Sequence, residues 1–265
     1  MNRLQKALKN SSGAPLLGAA AYLYNPTFLE IAALLGYKAA WIEMEHTFLS
    51  HDQAADLCRI ASGMGMLTMI RIPDTRREMV LKAAECGPDI LDLPMVNSAA
   101  MLNEFVRHAR FPPKGERGFF STSRAVKYGL DGPVSDEQQM LNQELCLMAQ
   151  IETKEAVDKI DELLAVPGID SIFIGPADLS ASLGVPGQTD HLLVKQAASK
   201  VIQAARTHGK TVAAGVNQRD LPFWIEQRID LIFCTNDIAA MKAGAQAAIS
   251  DARDLLEKID GAIRK

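Results

Sequence analysis

Cysteine is scarce in this chain of 265 residues, which carries only four. Cys58, Cys86, Cys146 and Cys234 lie far apart, share no paired spacing suited to zinc, and each sits in an apolar segment. They read as buried reduced thiols, not as a disulfide framework or a metal knuckle. Long apolar runs are missing as well. The stretch from Met1 to Asn10 alternates Leu with Lys and Arg where a signal peptide would be continuously apolar, and no later segment is long enough to span a bilayer. A cytoplasmic protein with no membrane partner is the expectation. Blocks of like charge are absent too: the net charge of −4 comes from interspersed Lys, Arg, Asp and Glu. With no basic face, nucleic acid is not an expected partner.

What is present is alternation. A chain with 48% hydrophobic and 23% charged residues fits one large globular domain over residues 1–265. Short β-type runs alternate with segments of helical spacing from about Leu16 to the C-terminus. The strand candidates are Leu16–Tyr24, Lys38–Glu45, Leu67–Ile72, Ile90–Val96, Leu145–Glu152, Ser171–Gly175, Thr211–Val216 and Leu231–Cys234. Helices are expected over Pro26–Leu35, where proline suits a first turn and Gly36 ends the run, over Ala99–Arg110 and over Thr153–Val166. A short N-terminal helix and a long C-terminal helical segment, Ile238–Ile263, complete the pattern. The fourth connection differs, because Phe111–Asp131 is rich in Gly, Pro, Ser and Arg, and a loop of that length in a compact domain is usually functional.

Nearly continuous apolar strands alternating with helices imply a parallel sheet covered on both faces. Eight units favour a closed (β/α)8 barrel over an open doubly wound sheet. The open sheet is further disfavoured because Tyr22-Leu23-Tyr24-Asn25-Pro26, after the first strand, offers no glycine-rich phosphate cradle.

In a barrel the C-terminal strand ends build the one catalytic face, so unusual polar residues there are informative. Glu43, Glu45 and His46 close the second strand, Arg71 the third and Glu152 the fifth, while Asp178 follows the sixth and Asn217 the seventh. Glu152 and Asp178 come from neighbouring strands, about 4.8 Å apart in a sheet, so both carboxylates can converge on one hard cation. Oxygen-only ligands suggest Mg²⁺ or Mn²⁺, with the remaining positions left to water or a chelating substrate. Either carboxylate alone could instead cap a helix. His46 suits a general base, since an imidazole ionises near neutral pH, or it is a satisfied core histidine; His51, His108, His191 and His208 read as helix residues. Arg71 needs an anion to offset its burial, either a substrate oxyanion or Glu43 and Glu45. The turn Gly175-Pro176-Ala177-Asp178 offers backbone N–H groups to a substrate carboxylate. No lysine stands at a strand's C-terminal end, which argues against Schiff-base chemistry. No glycine-rich phosphate grip follows strands seven and eight, which favours an unphosphorylated acid.

Gln150-Ile151-Glu152-Thr153 followed by Ile172-Phe173-Ile174-Gly175-Pro176-Ala177-Asp178-Leu179-Ser180 resembles the signature of the HpcH/HpaI aldolase family, which contains class II pyruvate aldolases. Glu45-His46, Arg71-Ile72-Pro73, Pro94-Met95-Val96, Phe111-Pro112-Pro113 with Arg117-Gly118, and Val166-Pro167-Gly168-Ile169-Asp170 extend the resemblance along most of the chain. By that resemblance Glu152 and Asp178 bind the metal, Arg71 steadies the enolate oxygen, His46 serves as base, and the Ala177 and Asp178 amides hold the substrate carboxylate; His46 would act directly or through a water oriented by Glu45. The implied reaction makes or breaks a 4-hydroxy-2-oxo acid from pyruvate, or a related 2-oxo acid, and an aldehyde. Two departures stand near the expected aldehyde position: Glu43 replaces the family's usual aspartate, and Thr47-Phe48 replaces frequent glycine and proline. The loop Phe119–Arg124 is a further expected contact for the substrate's distal group. Alternatives are an acyl-CoA or citrate-type lyase on the same barrel, or a non-catalytic metabolite-binding barrel. The long C-terminal segment, in keeping with the resemblance, points to a homo-oligomer.

Overall fold

A computed structural model describes residues 1–263 apart from 12 and 131. Its centre is a closed ring of eight parallel strands in sequential order, β1 Leu16–Ala21, β2 Ala39–Glu43, β3 Leu67–Arg71, β4 Ile90–Leu93, β5 Cys146–Ile151, β6 Ser171–Ile174, β7 Thr211–Gly215 and β8 Leu231–Asn236. The predicted (β/α)8 barrel is therefore the observed fold. Most strands are one to three residues shorter than the apolar pattern suggests, because the pattern runs on into the polar turns that carry the catalytic face.

Twelve α-helices among the described residues surround and cap the ring: α1 Arg3–Asn10, α2 Pro26–Leu34, α3 His51–Gly63, α4 Arg77–Glu85, α5 Ala99–Ala109, α6 Val134–Glu144, α7 Lys154–Asp158, α8 Ile160–Leu164, α9 Pro176–Ser182, α10 Leu192–Thr207, α11 Leu221–Glu226 and α12 Asp237–Ile263. Pro26 opens α2, and Asn25 caps it by accepting from the Phe28 amide. The single helix expected over 153–166 is split at Lys159, whose φ of −100° and ψ of 16° break the ladder between α7 and α8. The segment expected as a bare loop over 111–131 contains a 3₁₀ turn at Arg124–Gly129 and is followed by α6. The last residue of that expected loop, Asp131, lies outside the described residues. None of the described helices is long and apolar enough to cross a membrane.

Alternation along each strand builds two cores. Outward residues such as Ile42, Ile70, Leu91 and Leu147 meet the helices, while inward residues such as Trp41, Met69, Ile90, Phe173 and Phe233 fill the ring. The Trp41 ring packs edge-on against Phe173 at 5.1 Å and Phe233 at 5.5 Å. Gly18 is required there, because a Cβ on it would lie 2.4 Å from the Phe233 ring. Helix α1 closes the N-terminal end: Leu4 joins the inner cluster, and Arg3 reaches Asp89 at 2.9 Å and Glu144 at 3.0 Å. The C-terminal end stays open, and there the polar strand ends gather.

Candidate active site

At the open end, period-two alternation turns Glu43, Arg71 and Asp92 inward side by side, since Glu43 pairs in register with Arg71 and Arg71 with Asp92. All three are buried. Arg71 Nε donates to Glu43 Oε2 at 2.6 Å and lies 3.3 Å from Glu45 Oε2, and its guanidinium stands over the Trp41 ring at 4.9 Å. This is the ion pair the sequence offered as one partner for Arg71. A buried pair of this kind contributes little net stability, so its value lies in placement. Only Nε is committed; the terminal nitrogens form no hydrogen bond with the described residues, so the fork remains available to an incoming oxyanion.

The other Glu43 oxygen, Oε1, accepts from the amides of Glu45 at 2.7 Å and His46 at 3.1 Å, and the Thr47 hydroxyl donates to the Glu43 carbonyl. One long carboxylate thus shapes the turn that presents the next two residues. Glu45 lies half-buried, and burial raises its pKa, opposed by the charges of Arg71 and His46. His46 Nε2 stands 3.5 Å from Glu45 Oε2, and its side chain is 68% exposed, so it faces the open mouth and is not a packed core histidine.

Glu152, just beyond β5, is buried, and its carboxyl pKa is raised by burial and by the nearby charge of Asp178. Its Oε1 accepts from the Met95 amide at 2.6 Å and its Oε2 from Gln150 Nε2 at 2.5 Å. Thr153, not Glu152, caps α7, so the capping alternative for Glu152 is removed. Gly175 makes the cradle possible, because a Cβ there would stand 2.6 Å from Glu152 Oε2. Asp178 sits exposed in the first turn of α9, whose N-cap Gly175 supplies no side-chain bond; the second and third amides of that turn, Ala177 and Asp178, have no intrahelical partner.

These groups open on two adjoining cavities. One, of about 530 Å³, is lined by Arg71, Gln150, Gly175, Pro176, Asp178 and Asn217 among others. A second, of about 480 Å³, is lined by Glu43, His46, Phe48 and Arg71 among others. They share Arg71 and Tyr22. A larger cavity, of about 880 Å³, lies at the other end of the barrel between α1 and the strand beginnings.

The structure thus gathers Glu43, Glu45, His46, Arg71, Glu152, Gly175, Pro176, Ala177 and Asp178 around one mouth. It does not bring the loop 119–124 there. Phe119 packs on Phe111, Arg124 donates to the Cys58 carbonyl, and Arg124 lines the cavity at the N-terminal end. That expected contact is corrected within this chain: the loop folds back beneath α3 and α4, away from the mouth. Two functional neighbours had no part in the sequence reading. Asp92 is fully buried with neither carboxyl oxygen hydrogen-bonded among the described residues. Asp237 is equally buried, and its carboxylate accepts from the amides of Tyr22, Leu23 and Ile238, tying the β1 exit to the start of α12. A lone acid inside the apolar run Leu91-Asp92-Leu93 was the available signal for the first.

A scan against known families matches residues 21–221 to the model described as HpcH/HpaI aldolase/citrate lyase. The chain belongs to that family. The 2-keto-3-deoxy-L-rhamnonate aldolase of Shigella dysenteriae serotype 1 (strain Sd197) is 36% identical over 187 residues, 70% of this chain and 68% of that one. The HpcH/HpaI aldolase of Desulfitobacterium hafniense DCB-2 superposes with a TM-score of 0.87 at 30% identity, covering 96% of this chain and 97% of that one. The citrate synthase SbnG superposes with a TM-score of 0.84 at 23% identity, covering 97% and 99%; a likeness at that identity shows the shared fold alone. The HpcH/HpaI chain described here is accordingly an aldolase-type carbon–carbon lyase on a (β/α)8 barrel, and the resemblance read from Glu152, Asp178 and their neighbours is borne out.

Proposed function

We propose that this single-domain aldolase interconverts a 4-hydroxy-2-oxo acid with pyruvate, or a related 2-oxo acid, and an aldehyde. One observation carries the reading. A buried carboxylate, Glu152, walled by Gly175, lies near a second carboxylate, Asp178, which lines one cavity together with Arg71. Burial and the Asp178 charge disfavour ionisation of Glu152 in the absence of a further positive charge, and an all-oxygen pair of this kind suits a hard divalent cation, Mg²⁺ or Mn²⁺, completed by substrate oxygens. Bound there, the cation would supply Lewis-acid polarisation of the keto group.

The chain's own residues would do the rest. The Ala177 and Asp178 amides, above the Gly175-Pro176 turn, would hold the substrate carboxylate, and the Arg71 fork would receive the keto oxygen as negative charge develops on it. Glu43 positions Arg71 and the 45–46 turn together. His46 would take the proton from the C4 hydroxyl, with Glu45 steadying its other ring nitrogen. As the C3–C4 bond breaks, its electron pair becomes the enolate of the 2-oxo acid and C4 leaves as the aldehyde. Protonation at C3 then completes the product. Four buried free thiols fit a reducing cytoplasm. The apolar residues Met241, Ile249, Leu255, Leu256 and Ile259, all exposed on α12, fit pairing with a second copy of this chain.

The test is pyruvate C3 proton exchange in D2O with Mg²⁺ or Mn²⁺, on wild type and on Glu152→Ala and Asp178→Ala. Exchange that disappears with chelator or with either substitution is the expected result. A wild type that exchanges nothing refutes the reading.

A further inference from the structure

The acceptor aldehyde is legible in the second cavity at the mouth. If His46 takes the C4 proton and Arg71 receives the keto oxygen, the substituent on C4 must extend beyond His46. The 480 Å³ cavity lies in that direction, and its lining includes both residues together with Leu23, Phe48, Leu49 and Ile238. Phe48 is completely exposed, and Leu23 and Ile238 are more than two-fifths exposed, so hydrocarbon stands open to solvent next to the reacting atoms. Large exposed apolar side chains gathered at one concave place mark a binding site.

Much of the polar lining is engaged elsewhere, while the Tyr22 hydroxyl and Gln53 Nε2 form no hydrogen bond among the described residues. Tyr24 donates to Asp56 at 2.6 Å, the Thr47 hydroxyl donates to the Glu43 carbonyl, and Gln53 Oε1 accepts from the Ser50 amide at 3.1 Å. Glu43 is buried between Arg71 and two amides. Arg71 is the one permanent cation among the described residues lining this cavity, and it already faces Glu43 and Glu45. An aldehyde ending in a carboxylate would meet the Glu43 carboxylate, and the one permanent cation of the lining, Arg71, is already ion-paired with Glu43 and assigned to the keto oxygen. One carrying a chain of hydroxyls would lose water contacts and find few partners beyond the Tyr22 hydroxyl and Gln53 Nε2.

We propose that this aldolase takes an apolar aldehyde, aromatic or branched aliphatic, whose hydrocarbon tail lies against Leu23, Phe48, Leu49 and Ile238. The inference rests on the aldolase reading above and names the substrate class of that same site. The two departures from the family pattern, Glu43 and Thr47-Phe48, are both part of it: Glu43 shapes the turn, and Phe48 is the largest side chain the turn presents.

The experiment is aldol addition of pyruvate, with Mg²⁺ or Mn²⁺, to isobutyraldehyde and benzaldehyde compared with glyceraldehyde and succinic semialdehyde, on wild type, Phe48→Ala and Phe48→Leu. Each buried methylene multiplies affinity roughly fourfold, so kcat/KM should favour the apolar pair by at least about tenfold. Phe48→Ala should cut that ratio by about fourfold or more, through KM, and Phe48→Leu should keep most of it. A wild type that exchanges the pyruvate C3 proton but reacts as well with the polar or carboxylated aldehydes overturns the proposal and leaves the aldolase reading standing. A ratio indifferent to Phe48 also overturns it, since a second copy of the chain would then cover the cavity. Absence of exchange overturns the aldolase reading, and the proposal with it.

Discussion

Asp92→Asn isolates the most unusual group in the barrel. The Asp92 carboxyl is fully buried beside Arg71, and burial pushes its pKa well above the ordinary range; Arg71 eases the shift, while Glu152, Glu43 and Glu45 add to it. In the unfolded chain an aspartate ionises at about pH 3.9. Over the window between that value and the raised one, the native state holds a proton that the unfolded state does not. The group's contribution is therefore complete below the unfolded value and drains away as pH rises through the folded one, at about 1.4 kcal/mol per pH unit. From pH 5 to pH 7 that slope bounds the loss at no more than about 3 kcal/mol. Asparagine has nearly the same shape and cannot ionise, so the variant should gain on wild type, within that bound, as pH rises over the same range. Urea unfolding at pH 5, 6 and 7, with chelator present and a constant m-value, reads the difference directly. Profiles that run parallel for the two proteins would refute the account of Asp92 as a carboxyl kept neutral by burial.

Two other outcomes follow from the geometry. Gly175→Ala puts a methyl group 2.6 Å from Glu152 Oε2, so Mn²⁺ affinity, read by electron paramagnetic resonance, should fall about 10- to 100-fold with the far-ultraviolet circular dichroism unchanged; undiminished Mn²⁺ binding counts against Glu152 as a ligand. In sedimentation equilibrium the native mass should be a multiple of the 28.8 kDa chain, and Leu256→Asp should lower it, whereas a monomeric wild type removes the pairing assigned to α12.

The ring itself was readable because parallel strands buried on both faces leave near-continuous apolar runs, and Glu43, Arg71 and Glu152 announced themselves as polar residues closing such runs. Asp92 escaped because it stands inside a run. Its meaning comes from register against Arg71 on the next strand, which the linear pattern does not carry. Asp237 escaped for a related reason: an acid before a helix reads as an ordinary start, and only closure of the ring brings it to the amides of Tyr22 and Leu23. The helix over 134–144 was hidden behind Gly132-Pro133 and the polar stretch before it, although Asp136 and Glu137 suit a first helical turn. The route of the 119–124 loop depends on its packing against Phe111 and the carbonyl of Cys58, distant contacts that composition does not encode.

Closure of the ring has a further consequence, in time. Tyr22 meets Asp237, 215 residues later, and β1 pairs with β8. During synthesis at about 5–20 residues per second, the first strand waits on the order of 10–40 s with one edge unpaired while its final neighbour is still being made. An unpaired edge is a template for another chain. The amides that Asp237 holds, and the mouth they help to shape, are assembled only once residue 237 has been made and the ring has closed.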